Sequence, residues 1–599
     1  MASTLTRRTF VTSLAASSLC AGLGLWRQPT WAGTRPGQSG VLSGTDFDLD
    51  IAPLEVNFTG RKRIATAING SIPGPLLRWR EGDTVTLRVR NRLGQDTSIH
   101  WHGILLPANM DGVPGMSFDG IAPDETFEYR FTLKQSGTYW YHAHSGFQEQ
   151  LGVYAPLIID PREPEPFAYE RDHVLMFSDW TDESPARVLA KLKKESHVYN
   201  RGRRTLGDLV RDTREQGLGE TLGDRWAWAR MRMTPTDLTD VSGETYTFLL
   251  NGQAPDSNWT GLFEPGERVR LRLINGSAMT YFDFRIPGLK LTVVAKDGQN
   301  VQPVEVDEIR LGVAETYDVI VTPAERQAYT LFAQAMDRSG YARGTLAVRG
   351  GLDAPVPQPD PRPELTMADM GHDHSGHGGG HGGHDAAAPG GHHPGQGQSS
   401  HQDHHGHHGH SEAPPERPKL QMQGHPASER NNPLVDMQTM MPVAKLDDPG
   451  IGLRDNGRRV LTYADLKSAF PDPDGREPGR TLELHLTGHM ERFAWSFDGI
   501  KFQDAEPIYL EYGERLRVVL VNDTMMHHPI HLHGMWSDLE NEYGDFQVRM
   551  HTVDMPPGSI RSFRVTADAP GRWAFHCHML MHMDLGMFRE VRVEEQGNR

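Results

Sequence analysis

The sequence predicts an all-β protein built from several barrels or sandwiches in one chain. Three observations predict it. A Gly-to-Asn segment recurs with constant spacing as Gly82–Asn91, Gly266–Asn275 and Gly513–Asn522. Each copy alternates polar and apolar residues, the period-two signature of a half-buried strand. A chain of 599 residues also exceeds the roughly 250–300 residues at which a single core stops growing. Repeats this far apart mean repeated domains rather than a solenoid of small units.

The N-terminus reads as an export signal. Arg7 and Arg8 precede an apolar run from Val11 to Leu25. That run is shorter than the roughly 20 residues needed to span a bilayer. Twin arginines before a short apolar stretch predict a Tat-type signal over 1–32, with cleavage near Ala32 and a periplasmic destination. No later segment is apolar enough to span a membrane.

The three repeats place domains at 46–165, 166–355 and 431–599. A second element follows each Gly-to-Asn strand, as Gly137–His144, Ala328–Gln334 and Gly571–His578. Residues 184–240 are charged and read as a helical insertion in domain two. Residues 356–430 form a linker rich in His, Gly and Pro, and its segment 371–385 cannot bury a core and is expected to be disordered. Composition is ordinary for a soluble protein, with 37% hydrophobic and 23% charged residues. A net charge of -17 argues against nucleic acid as a partner.

The repeats align the histidines. His100 stands nine residues past Asn91, and His531 nine past Asn522. His102 then matches His533, and His142 and His144 match His576 and His578. Domain two has Phe284, Ile286, Phe332 and Gln334 at those places. Residues i and i+2 of a strand share a face, so each His-X-His sets two imidazoles side by side, as transition-metal sites need. One such pair is commonly a surface feature; four pairs at matched positions are not coincidence. If domains one and three face each other, eight imidazoles converge.

Cysteine decides the chemistry. Cys20 lies within the signal, leaving Cys577 as the single cysteine of the mature chain. It sits between His576 and His578 and points to the opposite face of the strand. There it can join His528, His582 and Met587 in a His₂Cys site with an axial methionine, the ligand set of blue copper. Domain one carries Ala143 at that place.

His100-Trp101-His102, His142-Ala143-His144, His528 through His533 and His576-Cys577-His578 with His582 and Met587 resemble the four copper motifs of the multicopper oxidases. The resemblance runs from about residue 46 to the end. It implies three cupredoxin-like Greek-key barrels and four coppers. His100 and His531 would hold the type 2 ion, and His102, His142, His144, His533, His576 and His578 the type 3 pair. Dioxygen would be the acceptor, and Asp111 resembles the acid that serves the cluster in relatives. A second acid follows the His582 position in some relatives; here Met583 stands there, with Asp584 next.

Within the family the chain is most similar to the CopA-type copper-resistance oxidases, through the Tat-type signal, Met367–His372 and Val435–Pro442. The linker departs from that group in being rich in histidine rather than methionine. The resemblance and the methionines near the blue copper make Cu(I) the expected reductant, with those methionines as its path, and the linker histidines would bind extra copper. A laccase acting on small phenols and a periplasmic copper-sequestering protein remain the alternatives.

Overall fold

The structure is a computed structural model that describes residues 40–370 and 422–595. The expected signal and the histidine tract of the expected linker lie outside the described residues. The described chain forms six sheets, two in each of three successive units.

The recurring Gly-to-Asn segment is the same strand in every unit. Asp46–Val56 pairs parallel with Thr84–Asn91, Arg171–Thr181 with Val269–Asn275, and Arg480–His489 with Arg515–Asn522. Each such sheet packs on a partner sheet across an apolar core. In the first unit the partner sheet carries His100–His102 beside Gly137–His142, with His100 opposite His142. In the third it carries His528–Leu532 beside Gly571–Cys577, with His531 opposite His576. In the second, Phe284 lies opposite Ala333 and Arg285 opposite Phe332. Counting residues therefore misplaces the domain-two counterparts by one.

The expected half-buried pattern fails for Val269–Asn275, which is buried along its whole length. Its polar face meets the first unit instead of water. Arg272 Nη1 donates to Thr138 Oγ1 (2.8 Å), Thr138 Oγ1 donates to Asp318 Oδ1 (2.7 Å), and Arg270 pairs with Asp318 (2.6 Å). Buried charge is tolerated here because it is paired and hydrogen-bonded.

The insertion is helical at Pro185–Lys194, Leu206–Gln216 and Leu218–Arg230. Ser184 caps the first helix by accepting from the backbone of Arg187, and Val188, Leu189 and Leu192 form its buried stripe. Thr205 and Asp208 form a capping box on the second, which has no buried residue.

The asparagine that closes each repeat explains the repeat. An amide side chain carries both donors and an acceptor. Asn91 Nδ2 donates to the carbonyls of Gln95 and Ile121, and Asn275 Nδ2 to those of Thr280 and Leu311. Asn522 Nδ2 donates to those of Met526, Met555 and Pro556. Each amide oxygen accepts from the backbone two residues on. The loop that leads to the first His-X-His is thereby fixed to its sheet. Asn522→Asp keeps the shape but turns an oxygen toward three carbonyls. It should cost about 3 kcal/mol or more, read as a lowered midpoint of chemical unfolding. An unchanged midpoint would show that these bonds do not hold the loop.

Candidate metal centre

The first and third units face each other, and their histidines meet between them. Three groups of ligand atoms lie within 4.8 Å of one another: His100, His102 and His531; His102, His142 and His578; His144, His533 and His576. All eight predicted imidazoles are therefore brought together. They come from the two matched strand pairs and the residues that immediately follow them.

The outer nitrogen of most rings is tied down, which fixes the tautomer and aims the other nitrogen inward. His100 Nδ1 donates to the Asp111 carbonyl (2.8 Å), His531 Nδ1 to the His551 carbonyl (2.6 Å) and His576 Nδ1 to the Cys577 carbonyl (2.8 Å). His533 Nδ1 donates to Asp111 Oδ2 (2.8 Å), and His142 Nδ1 to Glu149 Oε2 (2.6 Å). The Nε2 atoms of His100, His142 and His531 are buried without any partner. His533 Nε2 and His144 Nε2 lie 3.0 and 3.3 Å from His576 Nε2, lone pair against lone pair. His102 is turned the other way. Its Nε2 meets His551 Nδ1 (3.2 Å) and Thr552 Oγ1 (3.3 Å), and its Nδ1 is the orphan.

Burial, and after it the neighbouring imidazoles, hold His102, His142, His144, His531, His533 and His578 well below the ordinary histidine range. Burial likewise takes His576 down to about 4. These seven rings are held toward the neutral form, the form that binds metal. Buried nitrogens that face one another without donors fit cations and nothing else at hand. Copper fits the all-imidazole donor set.

Cys577 occupies the opposite side of its strand. Its Sγ lies 3.5 Å from His528 Nδ1 and 3.8 Å from His582 Nδ1, and those two nitrogens are 3.1 Å apart. The far nitrogens are again anchored. His528 Nε2 donates to Thr524 Oγ1 (2.7 Å), which donates to the repeat asparagine at Asn522 Oδ1 (2.8 Å). His582 Nε2 donates to Asp240 Oδ2 (2.7 Å). Met587 is fully buried, and its carbonyl accepts from the Cys577 backbone. Trp495 stacks on His582 at 4.0 Å. Burial pushes the Cys577 thiol well above its ordinary value, so a thiolate there requires a bound cation.

Asp111 is buried, with Oδ2 on His533 and Oδ1 3.3 Å from His100 Nδ1. Asp584 is exposed at the end of the short helix Leu580–Asp584. A second acid that reaches a cluster histidine is Glu149, seven residues after His142. Burial, with Asp179 adding to it, pushes its carboxyl well above the usual range. Glu149, Asp240 and His551 escape a reading of the sequence. Nothing local marks them among 78 acidic residues and 30 histidines. Of the methionines near the cysteine site, Met525, Met526, Met579 and Met581 are buried in the core, and Met583 is half-buried. Met437 is buried too, whereas Met440 is exposed. A surface cleft lined by Phe470, Tyr543 and Phe546 has no histidine in its lining.

Family models described as multicopper oxidase match residues 50–164, 171–351 and 476–597. A copper resistance protein A homolog of Pseudomonas syringae pv. tomato is 67% identical over 590 residues, 98% of this chain and 99% of that protein. Copper resistance protein A of Escherichia coli is 64% identical over 98% of this chain and 99% of its own. Among solved structures, Fet3p, a multicopper oxidase that functions in iron import, superposes with a TM-score of 0.62. It is 18% identical and is covered to 91%, with 92% of this chain. The laccase of Botrytis aclada gives a TM-score of 0.58 at 20% identity, over 94% of this chain and 89% of its own.

Asp111→Ala would release His533 and remove the carboxylate beside His100, whose bond to the backbone carbonyl of residue 111 stays. Loss of such an outer-shell partner should lower copper content at the histidine cluster and oxygen uptake by about 10–100-fold. Blue absorption from the separate cysteine site should persist. Full copper content and full activity would remove Asp111 from the centre.

Proposed function

We propose that this chain, which belongs to the multicopper oxidase family, couples the oxidation of Cu(I) to the reduction of dioxygen to water and so serves copper tolerance. It is a copper-dependent oxidoreductase that uses dioxygen. His528, Cys577, His582 and Met587 would hold one copper. His100 and His531 would hold a second, and His102, His142 and His578 with His144, His533 and His576 the remaining two. Bound copper supplies one-electron chemistry on the substrate side and the four-electron chemistry of dioxygen on the other.

The chain's own part is placement. The strand Gly571–Cys577 and the residue after it join the cysteine site to the histidine cluster by covalent bonds. Asp111, Glu149, and the carbonyls of Asp111, Cys577 and His551 orient the rings. The side chains of both sites, His144 apart, are buried.

One observation carries Cu(I) over a phenol. His582 and Asp240 are each 0% exposed, and the Asp240 carboxylate takes the imidazole edge that faces away from Cys577. A phenol ring has no edge of a ligand histidine to touch. A small cation needs only a carboxylate and thioethers near the surface, and the partly exposed Met583, Met440 and Met441 supply soft donors. A laccase reading needs that edge open. A purely sequestering protein needs neither the cysteine site nor eight oriented imidazoles. The names of the two most similar relatives given above point the same way. The Tat-type signal would deliver the protein to the periplasm, and the histidine tract at 371–410 would hold additional copper.

Steady-state oxygen uptake on one preparation tests the reading. Cu(I) should be oxidised with a higher kcat/KM than a bulky phenol. Asp240→Asn should lower the Cu(I) value by roughly tenfold, as loss of an outer-shell carboxylate does, with blue absorption retained. A phenol used as efficiently as Cu(I), or Cu(I) turnover indifferent to Asp240, would overturn it.

A further inference from the structure

We propose that His425, Glu429, His485 and Asp523 form a binding site for a divalent transition-metal ion, apart from the copper centres. Their ligand atoms lie within 4.8 Å of one another. His485 comes from the strand Arg480–His489, and Asp523 directly follows Arg515–Asn522. His425 and Glu429 lie where the described chain resumes, Glu429 closing the short turn Ala427–Glu429. Glu429 and Asp523 side chains are 0% exposed and His485 1%, while His425, at 12%, gives the group its edge on solvent.

The polar atoms sort into an outer and an inner set. His425 Nε2 has the Thr439 carbonyl at 3.2 Å, an acceptor only, so that nitrogen carries the hydrogen. His485 Nε2 faces Glu483 Oε1 at 3.2 Å. Gln438 donates to Glu429 Oε2 (2.8 Å), and the Thr439 backbone to Asp523 Oδ1 (2.7 Å). These outer contacts orient the groups as outer-shell partners orient metal ligands. What remains points inward. His425 Nδ1 lies 3.2 Å from Glu429 Oε2 and 3.3 Å from Asp523 Oδ2. His485 Nδ1 lies 3.7 Å from Glu429 Oε1 and 2.7 Å from Asp523 Oδ2.

Two features single this group out. Glu429 Oε1 is a buried carboxylate oxygen without any hydrogen bond. Neither carboxylate meets a lysine or arginine among the described residues, whereas several buried carboxylates elsewhere do. Asp283 pairs with Arg310 and Arg338, Asp538 with Arg515 and Arg549, and Glu540 with Arg517 and Arg564. Two carboxylates and two imidazoles call for positive charge between them, and one divalent ion supplies it. Tetrahedral bonds of about 2.0–2.2 Å place ligands about 3.3–3.6 Å apart. Three of the four separations already fall near that range. The shorter one, from His485 to Asp523, is a hydrogen bond that an ion would open. Two nitrogens and two oxygens suit Cu(II) or Zn(II), and the absence of sulfur disfavours Cu(I). Cu(II) is also the product of the reaction proposed above, though binding does not depend on that reading. An ion here would fasten residues 425–439 to the third unit, where Thr439 already holds Asp523 and the Asn522 carbonyl.

Crystals of the full, copper-loaded protein soaked in Zn(II) test the site, because anomalous scattering at the zinc edge separates zinc from resident copper. The expected result is a zinc peak within bonding distance of all four side chains, lost in Glu429→Gln. Should that variant fail to fold, His425→Ala, at the solvent edge, must lose the peak instead. No peak, with His485 still bonded to Asp523, would make the group an ion-pair network of protonated histidines. A peak that persists in the glutamine variant would equally overturn the assignment.

Discussion

The structure depends on one constraint: electron-rich nitrogens crowd a buried space between two domains, and they call for cations placed among them. Neutral imidazoles held 3.0–3.3 Å apart through their Nε2 atoms repel one another. Something other than the imidazoles must hold the domains in place before metal arrives. The second unit, which carries none of the eight histidines, does much of this. Asp297 is fully buried and accepts from the backbone of His551 and Thr552 (3.1 Å each), while Lys296 pairs with it at 2.9 Å. Tyr281 donates to Asp554 (2.8 Å) and Tyr463 to Glu315 (2.7 Å). The same unit grips the first through Thr138, Asp318 and Arg272. Domain two lacks ligands but sets the distance between the domains that have them.

That bracing explains what a reading of the sequence reaches and what it misses. Spacing on strands is local, so the four His-X-His pairs and the opposite-facing Cys577 were legible from the period of a strand, whereas His582 and Met587 lie past that strand. The three copies of one strand ending in asparagine were legible for the same reason. Interdomain partners were not. Asp240 sits beyond three helices of an insertion yet meets His582, and Glu149 folds back on His142 from a loop. The full burial of Val269–Asn275 was hidden because its polar alternation looks identical whether arginines face water or Asp318. The reversed ring of His102 depends on His551, 449 positions away. The signal and the histidine tract lie outside the described residues.

Methionine illustrates the same limit. A run of sulfurs around a copper site invites a reading as a substrate path, since thioethers suit Cu(I). Burial divides the set: Met525, Met526, Met579 and Met581 fill the core, the ordinary use of this residue. Only partly exposed ones such as Met583, Met440 and Met441 remain open to an arriving ion. Residue type proposes the chemistry, and exposure decides which copies can take part.

The first domain shows how little separates a copper-binding barrel from an empty one. Thr97 stands three residues before His100, as His528 stands before His531. Gln148 and Val153 follow His144 by four and nine residues, as His582 and Met587 follow His578. The corresponding atoms still meet. Thr97 Oγ1 donates to Gln148 Oε1 at 2.5 Å where the two ligand histidines approach at 3.1 Å. The Ala143 backbone donates to the Val153 carbonyl at 2.9 Å, as Cys577 donates to that of Met587 at 3.1 Å. The backbone frame of the blue site is thus present twice. In one copy four side chains fill it with sulfur and nitrogen. In the other a hydrogen bond and two aliphatic groups close it. The frame is a property of the fold, and the cysteine, two histidines and methionine that would make it a metal site stand in the third domain.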